Sequence, residues 1–231
     1  MKIDKPTEKV KIIKRYKRFL ADVERSDGSI LTVHCPNSGS MKTCVERGWE
    51  ALISDSMNEK RKLRYTLEMT HNGKCWIGIN TMIPNKLAKE AIEQGHIEEL
   101  TGYNKIQTEQ KYGQNSRIDL LLSNGYEKCF VEVKNVTLVE NDFFLFPDAV
   151  TERGLKHLND LLNEKKKGNR AVMFYMVQRS DGNIFKPASK IDPAYAEKLK
   201  EVHGQGVEIL PYIVSVSPDE IKIEKKIPFE L

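Results

Sequence analysis

The stretch SRIDLLLSNGYEKCFVEVKNV, Ser116 to Val136, reads as two strands joined by a tight turn, with three polar groups set into otherwise apolar runs. They are Asp119, Glu132 and Lys134. Asn124-Gly125 is the strongest short hairpin signal, and a two-residue turn there pairs Ser123 with Tyr126 and hence Asp119 with Phe130. In that register Asp119, Phe130, Glu132 and Lys134 project from one face. Ile118, Leu120 and Leu122 take the other, with Cys129, Val131 and Val133 beside them. Glu132 then lies diagonal to Asp119, their Cα atoms about 7 to 8 Å apart, so the two carboxylates can share a cation.

Such a pair suits Mg²⁺ or Mn²⁺, which keep several waters and take one or two carboxylates plus substrate phosphate. The ion would neutralise phosphodiester charge and activate a water, while Lys134 orients that water or stabilises developing charge. Asp119, Glu132 and Lys134 are therefore the candidate catalytic residues, and Asp119 and Glu132 the candidate metal ligands. The plain alternative is a solvated surface hairpin with a Glu132–Lys134 pair. The apolar face beside them weakens it, because acids under a covering helix are costly unless paired or bound to an ion.

Working outward, strands alternate with helices. Leu87, Ala88, Ala91 and Ile92 give Asn85–Gln94 helical spacing before Gly95. Strands are expected at Ile106–Tyr112, Arg117–Leu122, Lys128–Val136, Ala171–Val177 and Val207–Val216. A helix is expected from about Ala149 to Lys166, and another over Pro193–His203 with Asp192 as N-cap and Gly204 just past the end. This is an α/β layer, α+β for the chain as a whole, with a mixed central sheet.

Before Pro84 the pattern is different. The runs Val10–Glu24, Ile30–His34, Trp49–Ser54, Leu63–Met69 and Cys75–Ile79 are separated by turn residues, and five strands in so short a span fit a small barrel of the OB kind. The first run slips out of alternation near Lys14, Arg15 and Tyr16, which predicts a bulge or a strongly bent strand. The expected domains are an OB-fold-like DNA-binding domain over 1–83 and a nuclease-like domain over 84–231.

The bulk properties agree. The chain has 231 residues, 30% charged and 39% hydrophobic, with net charge +4. No stretch approaches the roughly 18 apolar residues of a membrane span, and no secretory signal is legible, so a cytoplasmic protein is expected. Cys35, Cys44, Cys75 and Cys129 form no CxxC pair and are expected to be reduced thiols. Neither a GxxxxGK[ST] loop nor a GxGxxG turn is present, so no nucleotide cofactor is expected. Residues 1–82 hold 16 lysines and arginines against 10 acids, and the remainder 21 against 23. The excess at the N-terminal end fits a polyanion partner.

Lys9, Lys11, Lys14, Arg15, Lys17 and Arg18 crowd one segment with Tyr16 and Phe19 interleaved, a mixture suited to phosphate contacts and base stacking. Lys60, Arg61, Lys62 and Arg64 form a second cluster. Further on, FPDAVTERGLKHL, Phe146 to Leu158, reads as a helix start in which Asp148 can cap the first turn. Leu155, Leu158, Leu161 and Leu162 form its apolar stripe, and Arg153, Lys156, His157 and Asp160 its other face. The candidate nucleic-acid contacts are Arg15, Tyr16, Lys17, Arg18, Arg117, Thr151 and Arg153; His157 is a weak candidate for catalysis. With no helix-turn-helix or zinc-finger spacing, DNA binding is expected to be non-specific and salt-sensitive. The oligomeric state stays open, a homodimer included.

Asp119, twelve intervening residues, then Glu132-Val133-Lys134 is similar to the PD-(D/E)xK nuclease signature, with Ile118 where that signature often has Pro. A longer resemblance runs through RYKRFLADV (Arg15–Val23), HCPNSGSM (His34–Met41), Leu87–Ile92, YGQNSRID (Tyr112–Asp119), EVKNVTL (Glu132–Leu138), FPDAVTERG (Phe146–Gly154) and GVEIL (Gly206–Leu210). In these stretches the chain resembles the sugar fermentation stimulation protein family (SfsA). The resemblance implies an OB-like domain joined to a nuclease-like domain, non-specific DNA binding, and a regulatory role in sugar, notably maltose, metabolism. Beside a Mg²⁺-dependent nuclease it leaves open a non-catalytic DNA-binding regulator on the same scaffold, and a sugar-binding protein that no residue here argues for.

Overall fold

The computed structural model describes residues 1–113 and 115–231; Gln114, inside YGQNSRID, lies outside the described residues. The chain starts with β1 (Thr7–Tyr16), β2 (Leu20–Glu24), β3 (Ile30–His34), β4 (Glu50–Asp55), β5 (Tyr65–His71) and β6 (Trp76–Gly78). These lie in the order β3-β2-β1-β4-β5-β6, and a further pairing of β3 with β5 at His34 and Thr66 closes the circuit β1-β2-β3-β5-β4. That circuit is the OB arrangement the turn-separated runs predict. Alternating residues, among them Val10, Ile12, Val23, Val33, Ile53 and Leu67, fill its interior.

The run Val10–Glu24 is not one bent strand. It divides into β1 and β2 at Lys17 and Arg18, both left-handed with φ of 49° and 64°. Neither residue type favours that conformation, so the turn depends on tertiary bonds. The Arg15 guanidinium supplies them, donating to the carbonyls of Arg18 (2.9 Å), Asn37 (2.8 Å) and Gly39 (3.0 Å). The slip in alternation does produce an irregular register between Ile12 and Lys14, as a bulge would.

The second part begins with α1 (Pro84–Glu93) and continues through β7 (Lys105–Tyr112), β8 (Ser116–Ser123), β9 (Lys128–Val136), β10 (Leu138–Glu140), β11 (Phe143–Phe146) and α2 (Glu152–Lys166). It ends with β12 (Arg170–Val177), β13 (Ile184–Pro187), α3 (Pro193–Gly204), β14 (Glu208–Val216) and β15 (Ile221–Lys226). The main sheet runs β15-β14-β12-β9-β8-β7, parallel among β9, β12 and β14 and antiparallel elsewhere. Its central strand β12 is covered on both sides and accordingly reads as an unbroken apolar run.

Leu87, Ala88 and Ala91 of α1 join Leu120, Val131 and Phe174 in one core, which extends into the barrel through Leu52 and Met69. Leu158, Leu161 and Leu199 of α2 and α3 join Phe130, Met173 and Tyr175 on the opposite face. A small sheet β10-β11-β13, absent from the sequence expectation, lies beside them. Among the described residues no helix is long and apolar enough to cross a membrane.

Asp192 caps α3 as expected, its Oδ1 accepting from the Tyr195 N–H at 3.0 Å, but the helix continues through Gly204. Asp148 does not cap α2. The helix starts four residues later, with Thr151 as N-cap accepting from the Gly154 N–H at 2.9 Å. Asp148 instead accepts from the Ser40 hydroxyl (3.1 Å) and the Met41 N–H (3.3 Å), so FPDAVTERG is tied to HCPNSGSM. A Cβ on Gly39 would stand 2.5 Å from Asp148 Oδ2, so any larger residue there would displace the carboxylate from these bonds. Thr151→Ala is expected to cost about 1 kcal/mol, read as a melting temperature lowered by a few degrees. An unchanged melting temperature would remove the cap from the account of α2.

Buried Arg179 completes the seam between the two parts. Its Nη1 donates to the carbonyls of Thr43 (2.9 Å) and Thr137 (2.6 Å), while Nε and Nη2 hold Asp181 in a two-point contact. A planar guanidinium can do this in a way a lysine cannot.

Candidate active site

The β8–β9 hairpin turns one residue later than the sequence suggests. Ser123 pairs with Lys128 rather than Tyr126, and Leu120 with Val131. Asn124 is the first corner of the turn, its Oδ1 accepting from the Tyr126 (3.3 Å) and Glu127 (2.9 Å) N–H groups, and Gly125 takes the positive φ of 96°. Asparagine favours that side-chain-capped corner, which leaves Gly125 and Tyr126 as the central pair. Parity is kept, but every pairing slides by two residues. The ladder ends at Leu120–Val131, so Asp119 and Glu132 are the first residues beyond it and are not cross-strand diagonal neighbours.

Alternation does not survive at Asp119. Ile118 belongs to the core under α2, whereas Leu120 and Leu122 belong to the core under α1, so these three do not share a face. The break coincides with Glu109 on β7, left-handed at φ 54°, where the β7–β8 pairing skips from Thr108–Leu120 to Gln110–Ile118. Asp119 Oδ2 accepts from the Val133 N–H at 2.8 Å, ending the ladder with a side chain, and Oδ1 accepts from Asn85 Nδ2 of α1 at 2.8 Å. Glu132 and Lys134 face α2. The candidate centre thus straddles the end of a strand pair rather than lying on one face.

Glu132 is buried. Its Oε1 accepts from Lys134 Nζ at 2.7 Å and from His157 Nδ1 on α2, and its Oε2 is buried with no partner among the described residues. His157 Nε2 lies 3.4 Å from Arg153 Nε. Lys134 Nζ also lies 3.1 Å from Nδ1 but is closer to Glu132 Oε1; with Arg153 donating at Nε2, the ring is assigned the tautomer in which Nδ1 carries the proton and donates to Glu132. His157 and Asp160, both less than a tenth exposed, face the sheet and not solvent, and Asp160 accepts from the Ser116 hydroxyl at 2.5 Å. Tyr112 ends nearby with a buried hydroxyl that has no partner among the described residues.

The two carboxyls are driven apart electrostatically. Burial, and next the charge of Glu132, push Asp119 up to about 6, against the pull of the Val133 N–H and Lys134. Burial would raise Glu132 too, but hydrogen bonds from His157 and Lys134 hold it below its usual value. Tyr112 is pushed up by burial and then by the charge of Glu132.

A divalent cation fits this arrangement, for it would meet the unpartnered Glu132 Oε2 and relieve the repulsion that Asp119 feels. Among the described residues no three His, Cys, Asp or Glu side chains come together to hold a metal, so the protein would supply two carboxylates and leave the other positions to water and phosphate.

Of the other candidate contacts, Arg153 joins the centre through His157, and Thr151 begins the same helix with its hydroxyl committed to the cap. Arg117 is exposed, its Nη1 3.5 Å from the Glu109 carbonyl. Arg15 and Tyr16 are half-buried and committed to bonds within the protein, Arg15 to the Asn37 and Gly39 carbonyls and Tyr16 donating to Asp22 at 3.0 Å, while Lys17 and Arg18 stand exposed at the hairpin tip beside Phe19. Asn85 had no sequence signal, being brought in only by packing of α1. His157 had one that was undervalued, its place on the helix directly following the Glu132–Lys134 strand.

A family model described as the SfsA N-terminal OB domain matches residues 13–79, and one described as the sugar fermentation stimulation protein RE domain matches residues 82–220. The chain belongs to the sugar fermentation stimulation protein family. It is 52% identical to the family member of Geotalea uraniireducens over 227 residues, 98% of each chain, and 52% identical to that of Pelobacter propionicus over 217 residues, 94% of each. Among solved structures it is similar to SfsA of Pyrococcus furiosus, described in complex with Ca²⁺, with TM-score 0.90 and 27% identity, covering 100% of this chain and 98% of that one. The family likeness thus spans the barrel and the strand pair bearing Asp119, Glu132 and Lys134 alike.

Proposed function

We propose that this family member is a divalent-cation-dependent phosphodiesterase that binds nucleic acid, DNA in the first instance, without sequence preference. One observation carries the reading: a buried, unpartnered Glu132 oxygen beside a carboxyl that is hard to ionise, with the Lys134 ammonium bonded to the same glutamate. That the Pyrococcus furiosus relative is described with Ca²⁺ supports a cation here as well. Mg²⁺ or Mn²⁺, when bound, would supply Lewis-acid stabilisation of phosphodiester charge. Asp119 and Glu132 would hold it, and Asn85 and the Val133 N–H aim the Asp119 carboxylate. Lys134 holds positive charge where negative charge develops on a reacting phosphate. Arg153 and the exposed Lys17, Arg18 and Arg117 meet the backbone of the strand. The link to sugar metabolism rests on the family's name, and no residue of the centre explains it.

The deciding experiment is incubation of labelled single- and double-stranded DNA with the purified protein in Mg²⁺ or Mn²⁺, against the same reaction in EDTA. Cutting that EDTA abolishes is the expected result. Salt-sensitive binding with no cutting in either cation would overturn the catalytic half and favour a non-catalytic DNA-binding regulator on the same scaffold.

A further inference from the structure

A cleft of about 610 Å³ lies where the N-terminal arm, the barrel mouth and the start of α1 meet, within the size range of ligand sites. Lys2, Lys5, Arg61 and Lys86 line it, against only two acids, Asp4 and Glu68. Glu68 is at the buried end and committed to the protein, accepting from the Ser54 hydroxyl (2.5 Å) and from Asn80 Nδ2 (2.6 Å). Lys2, Lys5 and Lys86 make no ion pair among the described residues, unlike Lys9, Lys89 and Lys226, each of which lies against a glutamate. The surface between these cations is apolar, with Met82 65% exposed and Ile83 beside it.

Unneutralised cations around an apolar floor fit a ligand with a charged backbone and flat, weakly polar faces. The cleft also adjoins the candidate centre. Lys86 lines it, and the preceding residue, Asn85, hydrogen-bonds to Asp119. Asn85 and Lys86 are consecutive on α1, so the start of one helix borders both the cleft and the Asp119 carboxylate.

We propose that this cleft is the track along which a single nucleic-acid strand reaches the Asp119–Glu132 centre, with Arg61 and Lys86 on its phosphates and Met82 and Ile83 under its bases. The proposal rests on the nuclease reading for its ligand class but not on catalysis. It is tested by fluorescence anisotropy of a labelled single-stranded oligonucleotide in EDTA, where binding is read without cutting. The native protein is compared with the double variant Arg61→Glu/Lys86→Glu and with Lys200→Glu, an exposed α3 lysine outside the cleft that reports the effect of reversing one distant charge. Melting temperatures check that each variant is folded.

The double variant is expected to lose about tenfold or more in affinity and to flatten the salt dependence by roughly 1.4 in slope, about 0.7 for each phosphate released. Lys200→Glu is expected to change affinity less than about twofold, as one screened distant charge would. If the native protein binds the strand but the double variant behaves like Lys200→Glu, the cleft is not the track and the nuclease reading stands without it. If the native protein binds no strand at all, the track falls, and the nuclease reading is decided separately by the cutting assay on single- and double-stranded DNA.

Discussion

Asp119→Asn is expected to make the metal-free protein more stable at pH 7.5 while abolishing its response to Ca²⁺ or Mg²⁺. The folded carboxyl, pushed up to about 6 by burial and by Glu132, lies above the ordinary aspartate value of the unfolded chain. Where pH rises between those two values, the unfolded state gives up its proton and the folded state keeps it, so stability is lost on the way up and stays lost above pH 6. At roughly 1.4 kcal/mol per pH unit of separation, the cost of an ionised Asp119 is on the order of 1 to 3 kcal/mol. Asparagine carries no charge, keeps an oxygen for the Val133 N–H, and donates its amide to Asn85 once the Asn85 side chain is flipped to present its oxygen. The variant should therefore melt several degrees above the native protein at pH 7.5, at about 2 to 4 °C per kcal/mol for a chain of this size, and the two should converge near pH 4. With one of two carboxylates gone, Ca²⁺ should no longer raise the melting temperature, and any cutting should fall by a factor on the order of 10³. A variant less stable than native at pH 7.5, or still stabilised by Ca²⁺, would show that Asp119 is not a repelled ligand awaiting a cation.

That trade of stability for a site is partly written in the hairpin itself. Alternation put Glu132 and Lys134 on one side of a strand, and the apolar residues between them left that side as the place for polar chemistry. Side-chain period alone decides this, and it is robust to small errors of register. The place of Asp119 and Glu132 just beyond the end of the ladder was not legible in the same way. It depends on whether Asn124 is the corner or the first central residue of its turn, and both are common for asparagine. The break of alternation at Asp119 depends on Glu109, a left-handed residue on a different strand.

Long-range placement set the other limits. Asn85 lies 34 positions before Asp119, and only the packing of α1 against Leu120 and Val131 brings them together. The Lys17–Arg18 turn carries no turn-forming residue and stands on bonds from Arg15, so a single strand was the natural reading of Val10–Glu24. HCPNSGSM and FPDAVTERG were legible as unusual stretches but not as partners. Their link through Gly39 and Asp148 holds the barrel against the start of α2, the helix that carries Arg153 and His157. In that sense the barrel orients the candidate centre without contributing a ligand to it.

His157 is expected to act through Glu132, and three substitutions separate that role from simple packing. The imidazole donates from Nδ1 to Glu132 Oε1 and accepts at Nε2 from Arg153. With Lys134 on the same Oε1, the glutamate is held with Oε2 turned into the buried space where a cation would sit. His157→Asn keeps an N–H donor near the position of Nδ1, whereas His157→Gln places its amide near the position of Nε2, and His157→Ala keeps neither. Partners of metal-binding carboxylates typically govern 10- to 100-fold in metal affinity. Calorimetric titration with Ca²⁺ should therefore give weakening of about that size for His157→Ala and His157→Gln, and near-native affinity for His157→Asn. Packing alone predicts a different order, because glutamine fills the space better than asparagine and would bind the better of the two. Equal affinity in all three variants would remove His157 from the site and leave Lys134 as the sole support of Glu132.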